Sequence, residues 1–386
     1  MVLTQEQEAI RETAQRFARE RLRPAYQLRD AEGKIERSLL REMGALGLIG
    51  CELAEEFGGA GADAVTAGLV SEAIAYGDFN VGCFQMMGSL LGGIVSRHAQ
   101  PELGREWTRR QLAGDAVLGI AITEPDAGTD AANIQLKAVR DGDEYVLTGE
   151  KASISFCDQA DALIVLARTG TRESGAHGVT AFLVTADRGY SASRYKDFGH
   201  KIVGRGSVFF DAVRVPVTHR LGDDGKGFTH VMQGLEHSRM LLSLMCLAAA
   251  QASLDETWTY VQERKVMGLP IAQYQGVTFP LVEIEAQVAA FRALCHQGLA
   301  LRDAGRSYRL ESARVKALAP AIAIEAIQQC IATIGHYAVS MDMAHQQRLR
   351  DVMGFQFGEG TAQAMKLIVA RERAGRLATS NTLMRS

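Results

Sequence analysis

The feature that most constrains this chain is a double change in its hydrophobic period. From Thr4 onward, Ile10, Ala14, Phe17 and Ala18 recur every three to four residues, and Leu3-Thr4-x-x-Gln7 resembles a capping box. Helical stretches near Glu36 to Leu48, Ala64 to Tyr76 and Pro101 to Ala113 follow, separated by glycine turns such as Phe57-Gly-Gly-Ala-Gly61. After Asp115 the texture changes to short runs rich in β-branched residues. These are Tyr145-Val-Leu-Thr148, Ala162-Leu-Ile-Val-Leu166, Val179-Thr-Ala-Phe-Leu-Val184, and Val208-Phe-Phe210 with Val213-Arg-Val215. Asp141-Gly142 supplies a hairpin turn before Tyr145. Helical spacing returns at Phe228, in segments near 228–264, 276–304, 309–334 and 361–377. Strands do not alternate with long helices, which disfavours a doubly wound parallel sheet. The prediction is an α+β protein with an N-terminal α-helical domain over 1–114, a middle antiparallel β domain over 115–224, and a C-terminal four-helix bundle over 225–386. The tail from Thr379 to Ser386 is expected to be loose.

Charge and cysteine usage narrow the function classes. Across 386 residues the net charge is −3, so there is no basic field to hold nucleic acid. The densest apolar run, Met240 to Ala250, falls short of the roughly 20 residues of a membrane span, and no membrane role is expected. Six cysteines lie scattered without a C-x-x-C pair, as expected for buried free thiols in a reducing cytoplasm. The first residues, MVLTQEQEAIRE, lack the basic and apolar regions of an export signal. The expected location is therefore cytoplasmic.

Common catalytic signatures are missing: there is no H-E-x-x-H, G-x-S-x-G, P-loop or strand-to-helix G-x-G-x-x-G pattern. The nine histidines show no ligand spacing, and no metal site is expected. Gly58, Gly59 and Gly61 read as a plain turn rather than a phosphate cradle. Two stretches stand out. Ala121-Ile-Thr-Glu-Pro-Asp-Ala-Gly-Thr-Asp130 has backbone amides able to approach a pyrophosphate, although alone it reads more readily as a β turn. Arg350-Asp-Val-Met-Gly-Phe-Gln-Phe-Gly-Glu-Gly-Thr-Ala-Gln363 carries Glu359 between two glycines just before the last helix. A carboxylate there is either a helix N-terminal acid or a base that swings into a cleft.

Together these stretches, with Glu263-Arg-Lys-x-x-Gly-x-Pro-Ile-x-x-Tyr-Gln275 between them in chain order, resemble the acyl-CoA dehydrogenase family of flavoproteins. Leu3-Thr-x-x-Gln, Glu56-Phe-Gly-Gly-Ala-Gly61 and Leu221-Gly-x-x-Gly-x-Gly-Phe228 extend the similarity over essentially the whole chain. The resemblance implies FAD bound between the β domain and the C-terminal bundle. It also implies oxidation of an acyl-CoA thioester to its α,β-enoyl form, the alternatives being a straight or short branched-chain acyl-CoA dehydrogenase and an oxygen-reacting flavin oxidase or monooxygenase on the same fold.

On that template Glu359 takes the α-proton while the β-hydrogen leaves as hydride to flavin N5. The thioester oxygen is then held by the Glu359 backbone N–H and a flavin ribityl hydroxyl. Some relatives place the base where Ser238 stands, which a serine cannot replace. The resemblance assigns Ile122, Thr123, Gly128, Thr129, Ile154 and Ser155 to FAD. Arg264 and Gln275 would reach it across a dimer interface, and Thr361 and Gln363 from the last helix. Thr129, Glu236, Arg239, Gly358 and Gly360 are assigned to the substrate.

An electron-transferring flavoprotein as acceptor and a homotetramer built as a dimer of dimers complete the expectation. Many relatives carry tryptophan where Ser153 stands and tyrosine where Gly358 stands, so the resemblance implies room for a bulky alicyclic or α-branched acyl group. The chain is most similar to members acting on cyclohexanecarboxyl-CoA. Ile334-Gly-His-Tyr-Ala338 and Met267 depart from the family pattern, and no FAD contact is assigned there.

Overall fold

The structure is a computed structural model that describes residues 2–375; the tail from Thr379 to Ser386 lies outside the described residues. The first helix, α1 (Gln5–Phe17), starts as its sequence dictates. Thr4 Oγ1 accepts from the Gln7 amide at 3.2 Å, and Gln7 Oε1 accepts from the Thr4 amide at 3.0 Å. Five helices follow: α2 (Tyr26–Glu32), α3 (Arg37–Ala45), α4 (Ala64–Gly77), α5 (Phe79–His98) and α6 (Pro101–Leu112).

Helix α5 has no counterpart among the predicted segments. Every residue from Phe79 to Val95 is buried, so the helix has no polar face and its sequence no apolar stripe. Among the described residues, α5 and the helix Arg309–Ile334 are by length and composition long and apolar enough to cross a membrane, which revises the expectation drawn from the shorter run Met240 to Ala250 that no segment reaches that length. In α5, 94% of that apolar window is buried inside the protein.

The chain forms two compact units. One comprises Leu28–Asp63 and Cys83–Ser238, the other Met1–Gln27, Ala64–Gly82 and Arg239–Ser386. The first holds an eight-stranded sheet of β1 (Leu118–Ala121), β2 (Lys137–Asp141), β3 (Glu144–Ile154), β4 (Ala162–Arg168), β5 (Val179–Thr185), β6 (Ser191–Arg194), β7 (Gly206–Pro216) and β8 (Arg220–Leu221). The order is β6-β7-β3-β2-β4-β5-β8, with β1 paired to β4.

Most neighbours are antiparallel, but β1 runs parallel to β4, and Lys137 of β2 pairs with Arg168 in parallel. The sheet is therefore mixed. The long stretch between β1 and β4 contains a hairpin and is ample for the crossover that a parallel pair requires. Strands β4 and β5 are buried at every position, matching their unbroken apolar runs. Gly142, at φ +61°, turns the β2–β3 hairpin between Asp141 and Glu144. The two predicted runs near 208 and 213 are one strand, β7, in which Ala212 sits at φ +50°.

The other unit is helical. Helix α7 (Gly227–Glu263) enters it at Arg239 and leads through a small hairpin, β9 (Lys265–Val266) and β10 (Leu269–Pro270), to α8 (Gln275–Asp303). Then come α9 (Arg309–Ile334), α10 (Ala344–Met353), which the sequence reading passed over, and α11 (Ala362–Ala374). Helix α9 packs against α8, α10 and α11.

Polar side chains lock the helices together. Asp303, ending α8, accepts from the Ala64 and Val65 amides at 2.7 and 3.1 Å and so caps α4 from a distance. Gly68 of α4 is required by close approach, since a Cβ there would stand 2.4 Å from Leu299 Cδ1. Asp351, the acid of the Arg350-Asp pair, is fully buried and accepts from Tyr26 Oη at 2.7 Å and Asn80 Nδ2 at 2.8 Å. The buried Arg348 grips Glu256 with two bonds of 2.7 and 2.8 Å.

Candidate active site

In the helical unit the chemistry gathers on the segment joining α10 to α11. A short 3-10 turn, Gly354–Gln356, leads to Gly358, Glu359 and Gly360, and Thr361 Oγ1 then caps α11 by accepting from the Ala364 amide at 3.1 Å. Glu359 sits at φ +55° and Gly360 at φ +99°. A left-handed glutamate costs on the order of 1 kcal/mol or more, so its surroundings must over-determine it. Three hydrogen bonds do so. Arg239 Nε donates to Glu359 O at 2.9 Å, and Lys316 Nζ donates to Phe355 O at 2.8 Å and Gly360 O at 2.9 Å.

Lys316, on α9, is 1% exposed and Arg239, on α7, 9%. Burial pushes the Lys316 ammonium down to about 8, against the opposing pull of Glu359. Burial likewise pushes the nearby Cys246 thiol up to about 12, so it stays protonated. Glu359 itself is half-buried. A Cβ on Gly358 would meet the Phe355 ring at 3.3 Å.

In the sheet-bearing unit the segment after β1 is braced from beneath. Thr123 O accepts from the Ala152 amide at 2.8 Å and Ile122 O from Lys151 Nζ at 2.8 Å, which lays 122–124 beside the end of β3. Lys151 Nζ also pairs with Glu124 Oε1 at 2.8 Å, and the Glu124 carboxylate accepts from the Gln135 and Leu136 amides at 2.6 and 2.9 Å. Both charges are buried, and burial lowers the Lys151 ammonium to about 8 despite its partner.

Beyond this brace Glu124 and Ala127 exchange two 3.1 Å bonds, leaving Gly128 and Thr129 exposed. Gly128 has no atom within 4 Å of where a Cβ would stand and an ordinary φ, so neither packing nor turn geometry requires a glycine. Ile154 is buried at the end of β3, with Ser155 half-buried beside it; Glu236 is half-buried on α7. Within this unit the structure thus gathers Ile122, Thr123, Ile154 and Ser155 along one strand edge.

Arg264 and Gln275 flank the β9–β10 hairpin, and both are exposed, as is Gln363 on the first turn of α11. Ser238 is buried and spends its hydroxyl on Leu235 O at 3.3 Å. The glycines near 58 form a turn: Gly58 and Gly61 have φ of +91° and +62°, and the amides of 58, 59 and 61 bond to Glu55 O, Ala54 O and Leu53 O. Sequence reasoning missed Lys151, Lys316 and the structural use of Glu124. The signal for Lys316 is a cation whose neighbours three and four residues away along the helix, Ser312, Ala313, Ala319 and Pro320, are all buried.

Three family models match the chain in order: the acyl-CoA dehydrogenase N-terminal domain over 4–115, the middle domain over 119–213 and the C-terminal domain over 225–373. The chain belongs to the acyl-CoA dehydrogenase family. A probable acyl-CoA dehydrogenase of Bacillus subtilis is 31% identical over 96% of this chain and 98% of its own length. The structure of butyryl-CoA dehydrogenase from Megasphaera elsdenii superposes with a TM-score of 0.93 at 26% identity, covering 97% of this chain and 99% of that one. A glutaryl-CoA dehydrogenase from Mycobacterium smegmatis, in complex with FADH2, gives 0.90 at 25% identity, with 97% and 95% covered. As in the family, a helical N-terminal domain, a β domain and a helical C-terminal domain follow one another along this acyl-CoA dehydrogenase chain.

Proposed function

We propose that the protein oxidises an acyl-CoA thioester to its α,β-enoyl form with FAD, and that its acyl group is alicyclic or α-branched, such as cyclohexanecarboxyl-CoA. The observation that carries the reading is Glu359, held in the left-handed region by three carbonyl hydrogen bonds from two buried cations. The residues present fit FAD: a Cβ on Gly128 would project into open space from an exposed turn, so nothing within the chain accounts for a glycine there, whereas close approach of a diphosphate to the backbone would. Ile122, Thr123, Gly128, Thr129, Ile154 and Ser155 would hold it, joined by Thr361, Gln363 and a second chain's Arg264 and Gln275. Bound FAD supplies the acceptor for the β-hydrogen and its electron pair.

The chain itself handles the proton and the charge. Glu359 carboxylate takes the α-proton, and its own backbone N–H donates to the thioester oxygen as negative charge develops there. Arg239 fixes that backbone, and Glu236 serves the CoA portion. Gly358 carries no side chain beside the base, and Ser153 is small and exposed, which supports a wide acyl site. Six free, buried thiols suit a cytoplasmic protein. Met267, Phe279, Val282 and Tyr337 are 93, 55, 55 and 55% exposed, apolar surface suited to cover by further copies in a homotetramer. The acceptor in this reading is an electron-transferring flavoprotein.

Anaerobic titration of the FAD-loaded protein with cyclohexanecarboxyl-CoA and with straight-chain thioesters of similar size tests the reading through flavin absorbance. The ring thioester is expected to bleach the flavin selectively. Equal bleaching by straight chains removes the alicyclic assignment, and no bleaching by any thioester removes the dehydrogenase reading. Glu359→Gln is expected to keep FAD and lose at least about a hundredfold in reduction rate; retained reduction overturns the base.

A further inference from the structure

We propose that Lys316 is a positioning residue for the base: its buried ammonium closes the 355–360 segment at both ends, fixes the backbone of Glu359, and sets a positive charge near that carboxylate. The inference rests on the reading of Glu359 as the base. A single Nζ bonds carbonyls on either side of Glu359, at 2.8 Å to Phe355 and 2.9 Å to Gly360, across helices otherwise joined here by apolar contacts. Burying a charge this completely is costly unless it is paired and hydrogen-bonded. Met365, at the start of α11, shows that the neighbourhood is otherwise apolar, packing with Ala313 and Ala317 of α9.

The ionisable groups acting on Lys316 are Glu359, Cys246 and Arg239. Cys246 is held neutral by burial, so Glu359 is the counter-charge, flanked by two cations. Two cations so placed suit negative charge developing on a thioester oxygen nearby. The ammonium of Lys316, lowered to about 8, remains charged at neutral pH.

The test is anaerobic stopped-flow reduction of FAD-loaded Lys316→Met and Lys316→Arg by acyl-CoA across pH. Lys316→Met is expected to keep the flavin spectrum, lose ten- to a hundredfold in reduction rate, and move the acid limb of the profile up by about one pH unit. Lys316→Arg keeps the charge and should return the limb to its wild-type position even where the rate stays low. An unmoved limb in Lys316→Met, or a rate within twofold of wild type, overturns the proposal.

Chymotryptic cleavage after Phe357, which is 67% exposed, gives a readout independent of activity. It is expected to quicken in Lys316→Met, and in Lys316→Gln should the methionine variant not fold; unchanged cleavage overturns the positioning role. Should no acyl-CoA reduce the wild-type flavin, the function reading falls and this cleavage still decides what Lys316 does.

Discussion

Two loops of this protein are each braced by a buried lysine, and the two braces work differently. Lys151 supports the segment after β1 through one carbonyl, Ile122 O, and one carboxylate, Glu124, whose remaining capacity is taken by the Gln135 and Leu136 amides. Its charge is cancelled locally. Lys316 supports the Glu359 loop through two carbonyls, and the carboxylate it faces belongs to Glu359, the proposed base. The first arrangement makes a rigid, electrically quiet platform beneath an exposed turn. The second leaves charge available beside the proposed base. A buried cation is thus scaffold or chemistry according to what neutralises it.

Removing each lysine should separate these roles. Lys151→Met strands the Glu124 carboxylate among buried groups and is expected to cost about 3–5 kcal/mol. Lys316→Met strands two carbonyls of half-buried residues, which water can partly satisfy, and is expected to cost about 1–3 kcal/mol. The activity ranking is the reverse among molecules that remain folded and FAD-loaded: flavin reduction suffers more from the loss of Lys316. Urea or thermal unfolding alongside single-turnover reduction measures both. Equal stability losses would erase the distinction.

The two braces share one electrostatic property, and it has a sign. Both lysines are lowered to about 8 in the folded chain against 10.5 when free. Between those values the unfolded chain binds the extra proton, so each lysine's contribution to stability rises with pH, by up to about 3 kcal/mol across the window. Below pH 8 that contribution stays at its minimum. Buried cysteines and tyrosines raised above their ordinary values, such as Cys246 and Tyr26, pull the other way above pH 9. The measurement is therefore a difference: wild-type unfolding free energy minus that of Lys151→Met or Lys316→Met, followed from pH 7.5 to 10.5. A difference that fails to grow with pH contradicts the lowered lysines.

The order of domains was legible because a change of period needs no tertiary information. Strands β4 and β5 and helices α7, α8 and α9 begin and end within a few residues of where their apolar patterns do. Helix α5 was invisible for the opposite reason: buried on every side, it has no polar face to set a phase. The parallel pairing of β1 with β4 is set by where the chain returns, which local residues do not encode. At the site, Glu359 stood out in the sequence because two glycines flank it and a family pattern surrounds it, and the structure adds its left-handed backbone. Lys151 and Glu124 stood inside the quoted motifs, yet their pairing depends on 122–124 lying beside β3. Lys316 lay outside every motif. Arg239, expected at the substrate, also holds the Glu359 carbonyl, and Thr361, expected at FAD, also caps a helix, uses that no motif announces.

That cap sets the smallest effect and the finest comparison of the two loops. Thr361 is the first residue after the clamped segment, and its side chain satisfies one amide of α11 at Ala364. Thr361→Ala is expected to cost about 1 kcal/mol, the ordinary worth of such a cap. If the loop is held chiefly by Lys316 and Arg239, fraying of α11 stops at Gly360, whose carbonyl Lys316 grips. Hydrogen exchange should then rise in the first turn of α11 and remain unchanged over 355–359. Should protection fall in both segments together, the helix cap and the lysine clamp form one cooperative unit. The proposed base, Glu359, would then be positioned by α11 as much as by Lys316.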